Sequence, residues 1–314
     1  MAKKKLLVSL PGGVGNQLYA YFGGLYLSHK FGLRLVLDHS HANLNHHRRN
    51  FDTRIFSEID NYSRSSIVVF ILRSKLVNLV RLRFLAFLRS YGYWEKWKTI
   101  RAIITDFEGQ KATLPQIKKV ESLISELLTQ KRVVRVSCYF PDFSYYNLLP
   151  KTLQSLNLKS TSTNFQEILK EKNGIGIHVR LGDLLQISLT YPGTEVPILT
   201  ESYFISCVTA AKRVMGESPV FLFCDDYKSF LLLYPELSKY CKRITEVELH
   251  PAEELMLLSK MECIITSASS FSLWAARLSQ DSLIFVPDSL NPSGDTHQGF
   301  PEEWIRMPAS FIKF

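Results

Sequence analysis

The chain has 314 residues, 46% of them hydrophobic and 21% charged, which suits two globular cores of about 150 residues each and excludes disordered and fibrous classes. No apolar run reaches the roughly 18 residues that span a bilayer, and the Met-Ala-Lys-Lys-Lys start precedes too short an apolar stretch for a secretory signal. Net charge is +9 and unevenly placed, with 23 Lys and Arg against 10 Asp and Glu in residues 1–150, but 15 against 19 in residues 151–314. That split points the first half alone at a polyanionic neighbour. The five cysteines, Cys138, Cys207, Cys224, Cys241 and Cys263, have no paired spacing, so a reduced, cytoplasmic protein is expected.

In chain order, Lys5–Leu10 reads as a buried strand and Pro11–Asn16 as a glycine-rich turn. Gln17–Lys30 follows as a helix stopped by Gly32, and Leu33–Leu37 as a strand ending at Asp38. The turn G-G-V-G-N-Q at 12–17 lies where backbone N–H groups and a helix dipole hold anions. It is not a dinucleotide fingerprint, because Leu18 stands in the sixth place counted from Gly13, and no lysine makes it a Walker loop. Asp38 is nevertheless well placed for a ribose, which keeps a nicotinamide-dependent oxidoreductase as an alternative. Gly13 and Asn16 are candidate ligand contacts, since amides at a helix start can read a hydroxyl-rich ligand. A turn needing glycine only for its backbone would look the same.

Beyond Ser40 lies a polar loop with His39, His41, His46 and His47. It lacks cysteines and any closed tetrahedral ligand spacing, so histidines beside an acceptor site are favoured over metal ligands. No Asp-x-Asp occurs in the chain, which leaves no obvious carboxylate pair for a metal bridging a diphosphate. The stretch Arg73–Arg101 carries eight Lys and Arg against Glu95, interleaved with aromatic and aliphatic residues. It has the composition of a basic amphipathic surface for an anionic membrane, or of a helix pair with a solvated basic face. A nucleic-acid-binding protein would also explain the charge, but no RNA-recognition signature accompanies it. Val133–Val136 reads as a strand, Tyr139–Tyr146 is aromatic, and the polar residues 150–173 read as a linker, dividing the chain into 1–150 and 151–314.

The second half alternates strand and helix: strand 174–179 leading through a loop to helix 200–215 opened by Thr200 and Glu201, and strand 219–224 leading to a helix. A weaker strand follows near 243–248, then helix 252–260, strand 263–266, helix 269–279 and strand 282–286. Such alternation predicts parallel sheets, here two doubly wound Rossmann-like α/β domains facing across a cleft. The segment G-I-G-I-H-V-R-L-G-D at 174–183 brings His178, Arg180, Gly182 and Asp183 to a strand end, where open α/β sheets build polar sites. Arg180 offers a fork matched to phosphate or carboxylate, and Asp183 can orient it or act as acid or base. Asp225 and Asp226 end the next strand, and either can meet ribose or base edges, while Asp226 can equally cap a helix. Thr266–Ser272 opens a helix with Ser269, Ser270 and Ser272 as anion contacts.

In that order, G-G-V-G-N-Q, H-V-R-L-G-D, L-T-E-S-Y-F, F-C-D-D and S-S-F-S-L-W-A-A resemble the α-1,2-fucosyltransferases of glycosyltransferase family 11 over most of the chain, residues 60–130 least. The resemblance implies a GT-B arrangement and metal-independent, inverting transfer from GDP-β-L-fucose to the 2-hydroxyl of a galactose-type acceptor, on a soluble or lipid-linked glycan. It implies that Arg180 meets the diphosphate with support from His178 and Asp183. Asp225 or Asp226 and the serines Ser269, Ser270 and Ser272 would belong to the nucleotide site, and Gly13 and Asn16 would face the cleft from the first domain as donor contacts. Asp38 and His41 are separate candidates on the acceptor side, either able to take the acceptor's proton. The chain departs from the family pattern at Leu181, where a second arginine is common, at Cys224 for serine and at Ala268 for asparagine. A cytoplasmic enzyme touching the inner membrane face peripherally, with no nucleic-acid partner, is the expected setting.

Overall fold

A computed structural model of the chain describes residues 4–10, 12–38, 60–62, 101–104, 114–130, 133–136, 143–156, 162–169, 173–191, 193–244, 249–294 and 300–313. The histidine-rich loop, with His41, and the basic segment before Arg101 lie outside these residues. The chain divides into two compact units, Met1–Gln154 and Ser155–Phe314.

In the first unit, β1 (Lys5–Ser9) leads through α1 (Val14–Phe31) to β2 (Arg34–Asp38). Then come β3 (Asp60–Tyr62), β4 (Arg101–Ile104), α2 (Leu114–Gln130), β5 (Val133–Val136) and the short α3 (Ser144–Asn147). The strands form one parallel sheet in the order β3-β2-β1-β5-β4. Leu6 and Val8 are fully buried on the central β1. Helix α1 starts at Val14 because Gly13 is its N-cap, which puts Asn16 and Gln17 in its first turn. It stops at Gly32, whose φ of +61° is the left-handed conformation that closes helices. Gly24 lets α1 approach β1 closely: a Cβ there would lie 2.7 Å from Val8 Cγ2. Strands β3 and β4 and helix α2 were not anticipated.

The second unit opens with α4 (Thr163–Leu169), inside the stretch read as a linker. The N–H of Ser162 donates to the buried Glu253 at 2.6 Å, and Phe165 is buried, so these residues are docked rather than free. The sheet strands are β6 (Ile175–Val179), β7 (Val220–Cys224), β8 (Cys241–Arg243), β9 (Cys263–Ile265), β10 (Leu283–Pro287) and β11 (Ile305–Met307). Strand β8 covers Cys241–Arg243, and residues 245–248 of the strand expected near 243–248 lie outside the described residues. Helices α5 (Gly182–Thr190), α6 (Glu201–Met215), α7 (Tyr227–Leu233), α8 (Pro235–Ser238), α9 (Pro251–Leu258) and α10 (Ser270–Leu278) connect them, α5 standing where a loop was expected. All pairings are parallel and the order is β11-β10-β9-β6-β7-β8. The first strand is thus central, later ones are added first on one side and then on the other, and the order switches between β6 and β9. That crevice, at the carboxyl ends of the strands, is where doubly wound sheets bind ligands. Every residue of β6 is buried. Among the described residues, no helix is long and apolar enough to cross a membrane.

Candidate functional site at the second sheet's switch point

Three chain segments leave the second sheet side by side, after β6, β7 and β9, and they carry most of the polar residues singled out in the sequence. Arg180 follows β6 directly. Its Nη2 lies 2.7 Å from Asp183 Oδ1 and its Nη1 lies 2.7 Å from Asp225 Oδ2, with the arginine side chain 33% exposed. Asp225 also accepts from the backbone N–H of Leu181 at 2.8 Å and of Gly182 at 3.2 Å through Oδ1. Those N–H groups open α5, and Leu181 offers them no side-chain cap, so the carboxylate from the neighbouring strand end serves as the cap. Leu181 is fully buried in the core. The place where a second arginine is common therefore adds nothing to the polar surface.

His178, the fourth residue of β6, faces the β9 exit. Its Nδ1 is 2.8 Å from Ser267 Oγ and its ring stacks on Phe271 with centroids 5.0 Å apart. Burial first, and then the positive charge of Arg180, push the imidazole down from its ordinary 6.5 to about 3. It is a neutral hydrogen-bonding group at any working pH and lends the site no positive charge. Ser272 Oγ accepts from the N–H of Ser267 at 3.2 Å and donates to the Ser269 carbonyl at 3.2 Å, pinning the turn into α10. Ser269 caps that helix, accepting from the N–H of Phe271 at 3.4 Å. Behind this turn, Tyr203 donates to the Thr266 carbonyl at 3.0 Å.

Asp226 turns away to cap α7. It accepts from the N–H of Ser229 at 3.1 Å and from its hydroxyl at 2.7 Å, and the hydroxyl bond chiefly holds its carboxyl below the usual range. In the first unit, Gly12 adopts φ +61° and leaves no room for a side chain, since a Cβ there would lie 2.8 Å from Asn16 Nδ2. Gln17 is buried and its amide donates to the Gly12 carbonyl at 2.9 Å, bracing the turn. Gly13 has nothing within 4 Å of where a Cβ would stand, and no side chain caps α1. Asp38 is buried at the end of β2, beside the exit of β1. The structure thus joins His178, Arg180, Asp183, Asp225 and the serines of α10 in one unit, and Gly13, Asn16 and Asp38 along one sheet edge in the other.

From the sequence, Ser267 belongs to the hydroxyls of an anion nest, but it is bonded to His178 instead, and Phe271 carries no polar signal. Both lie in the run Thr266–Ser272, and nothing in their types marks them as the partners of His178. Among the described residues, no group of three His, Cys, Asp or Glu could hold a metal ion.

No protein-family model matches the chain. Over 311 residues, covering 95% of this chain and 99% of the relative, it is 24% identical to the O-antigen biosynthesis glycosyltransferase WbnK of Escherichia coli. Two solved fucosyltransferases overlay it more loosely. NodZ from Bradyrhizobium matches over 88% of this chain and 93% of its own, at 12% identity and a TM-score of 0.47. POFUT1 in complex with GDP-fucose matches over 89% and 96%, at 12% identity and a TM-score of 0.49. At those scores the overlays assign nothing to this chain. The end-to-end likeness in sequence is to a glycosyltransferase.

Proposed function

We propose that the protein is an inverting, metal-independent α-1,2-fucosyltransferase, moving L-fucose from GDP-β-L-fucose to the 2-hydroxyl of a galactose-type acceptor glycan. The observation that carries this reading is Arg180 at the second sheet's switch point, fixed between Asp183 in the first turn of α5 and Asp225 at the end of β7, at the strand ends where a nucleotide diphosphate binds in doubly wound sheets. The ordered family motifs and the full-length likeness to an O-antigen glycosyltransferase support it. On this reading the bond between fucose C1 and the β-phosphate breaks and its electron pair leaves with GDP. The acceptor oxygen attacks from the opposite face, and Arg180 stabilises the charge growing on the diphosphate. His178 holds the serine turn in place as a neutral group, Ser269 and Ser270 line the nucleotide side, and the fully buried Ser272, expected there from the sequence, instead braces the turn from within. By the family resemblance, Gly13 and Asn16 are donor contacts, and Asp38 and His41 are acceptor-side residues. Asp183 is the first choice to take the acceptor's proton, with Asp38, His41 or the leaving phosphate as the other routes.

Purified protein given GDP-fucose and a galactose-terminated oligosaccharide should form an α-1,2 linkage, read by NMR of the product. Arg180→Ala should lose roughly 100–1,000-fold in kcat, and Arg180→Lys should recover only part, because a point charge cannot replace a bidentate fork. Near-full turnover by Arg180→Ala overturns the proposal. Asp183→Asn separates its two roles: a large rate loss with unchanged GDP affinity marks the base, and lost GDP affinity marks an orienting partner.

A further inference from the structure

The two carboxylates that meet Arg180 differ in how they are held. Asp183 reaches Arg180 Nη2 from the first turn of α5, three residues along the same segment. Asp225 comes from the neighbouring strand end and engages three consecutive residues: Arg180 through Nη1, and Leu181 and Gly182 through their N–H groups. Oδ1 serves the two N–H groups and Oδ2 the guanidinium, so both oxygens face the loop. Gly182 makes this fit possible, since a Cβ there would stand 2.7 Å from Asp225 Oδ2 and 3.3 Å from its Cγ. A side-chain end that close usually swings aside, but this one would have to give up all three contacts to do so.

We propose that Asp225 is the positioning residue of this site: it sets the 180–182 loop and, through Nη1, the direction in which the Arg180 fork faces, and it does not itself read the nucleotide. This rests on Arg180 being the group that meets the leaving diphosphate. It gives the glycine of H-V-R-L-G-D and the first aspartate of F-C-D-D one shared purpose, because Gly182 provides the space that Asp225 fills. Asp183 is then the exchangeable partner, its place on Nη2 being the one a phosphate oxygen can take while Asp225 keeps the fork aimed.

The test needs one readout without a nucleotide. Asp225→Asn keeps the side-chain volume and an acceptor for the N–H groups but removes the charge facing Arg180. Phenylglyoxal modification of Arg180, followed by peptide mass spectrometry, should run several-fold faster in Asp225→Asn than in the wild type, with little change in melting temperature. Gly182→Ala, which displaces the same carboxylate from the other side, should do likewise and serves where Asp225→Asn does not fold. Equal modification rates in wild type and variants overturn the proposal. GDP affinity by calorimetry supplies the second readout, over the wild type, Asp225→Asn, Arg180→Ala and the double variant. Each single change should weaken binding by about tenfold or more, and the double should be no worse than Arg180→Ala alone. Losses that multiply in the double variant would make Asp225 a direct nucleotide contact and overturn its positioning role. A wild type that binds no GDP refutes the fucosyltransferase reading, while the modification rates still decide this one.

Discussion

His178 is only 5% exposed, bonded to Ser267 and stacked on Phe271, two residues from a permanent positive charge. Its folded-state value of about 3 lies below the 6.5 of a free imidazole, so between those values the unfolded chain takes up a proton that the folded one refuses. Stability from this group is therefore complete above about pH 6.5 and declines as pH falls toward 3, at up to about 1.4 kcal/mol per pH unit. His178→Gln should flatten the loss of melting temperature between pH 6.5 and 4.5, and an unchanged slope would show that the buried ring does protonate. At this scale the sequence is legible where topology does the work. In a parallel sheet the residues after each strand share an edge, so Arg180, Asp183 and Asp225 could be grouped from strand ends alone. What it hides is backbone direction: Asp225 and Asp226 are the same residue type side by side, yet one turns to the arginine loop and the other caps α7.

Helix α1 and strand β1 form the element pair on which the first unit's glycine turn rests, and Gly24 fixes how closely they approach. Replacing it with alanine should gain up to about 1 kcal/mol in helix propensity. The new Cβ, however, would lie 2.7 Å from Val8 Cγ2 and 3.2 Å from Leu35 Cδ1, in a core where Val8 is fully buried. Overpacking of that kind costs roughly 1–3 kcal/mol, so Gly24→Ala should be net destabilising in urea unfolding, and a more stable variant would mean that α1 lifts off the sheet freely. Strands β1 and β6 were readable as short apolar runs ending in turn residues, α1 by its bounding glycines, and α6 because its buried residues Tyr203, Phe204, Cys207, Val208 and Ala211 repeat at helical spacing. The three- and four-residue strands β3, β4 and β11 are too short to show any period. Helix α2 does carry a helical period, since Val120 and Ile124, one turn apart, are both fully buried. Helix α4 lies in a polar stretch and owes its place to Glu253, a residue some ninety positions away that no local pattern reveals.

For the molecule as a whole, the charge imbalance is the feature that the second-unit site leaves unexplained. The first 150 residues hold 23 Lys and Arg against 10 Asp and Glu, and the densest run, Arg73–Arg101, finishes where β4 begins at the edge of the first sheet. A glycosyltransferase acting on lipid-linked acceptors must work at a membrane surface, and the basic stretch interleaved in sequence with Phe84, Phe87, Tyr93, Trp94 and Trp97 has the composition to hold a protein at one. Each Lys or Arg close to an anionic leaflet contributes about 1 kcal/mol, so three or four acting together give weak and reversible attachment. The attraction is screened over about 10 Å at 0.1 M salt, so it should fade as ionic strength rises. The protein should therefore co-sediment with phosphatidylglycerol-containing vesicles at low salt, release at high salt, and ignore neutral vesicles. The paired change Lys96→Glu and Lys98→Glu should lower that binding while leaving transfer to a soluble oligosaccharide intact. Indifference to anionic vesicles at low salt would make the segment a solvated face and leave the charge of the first half to another polyanion.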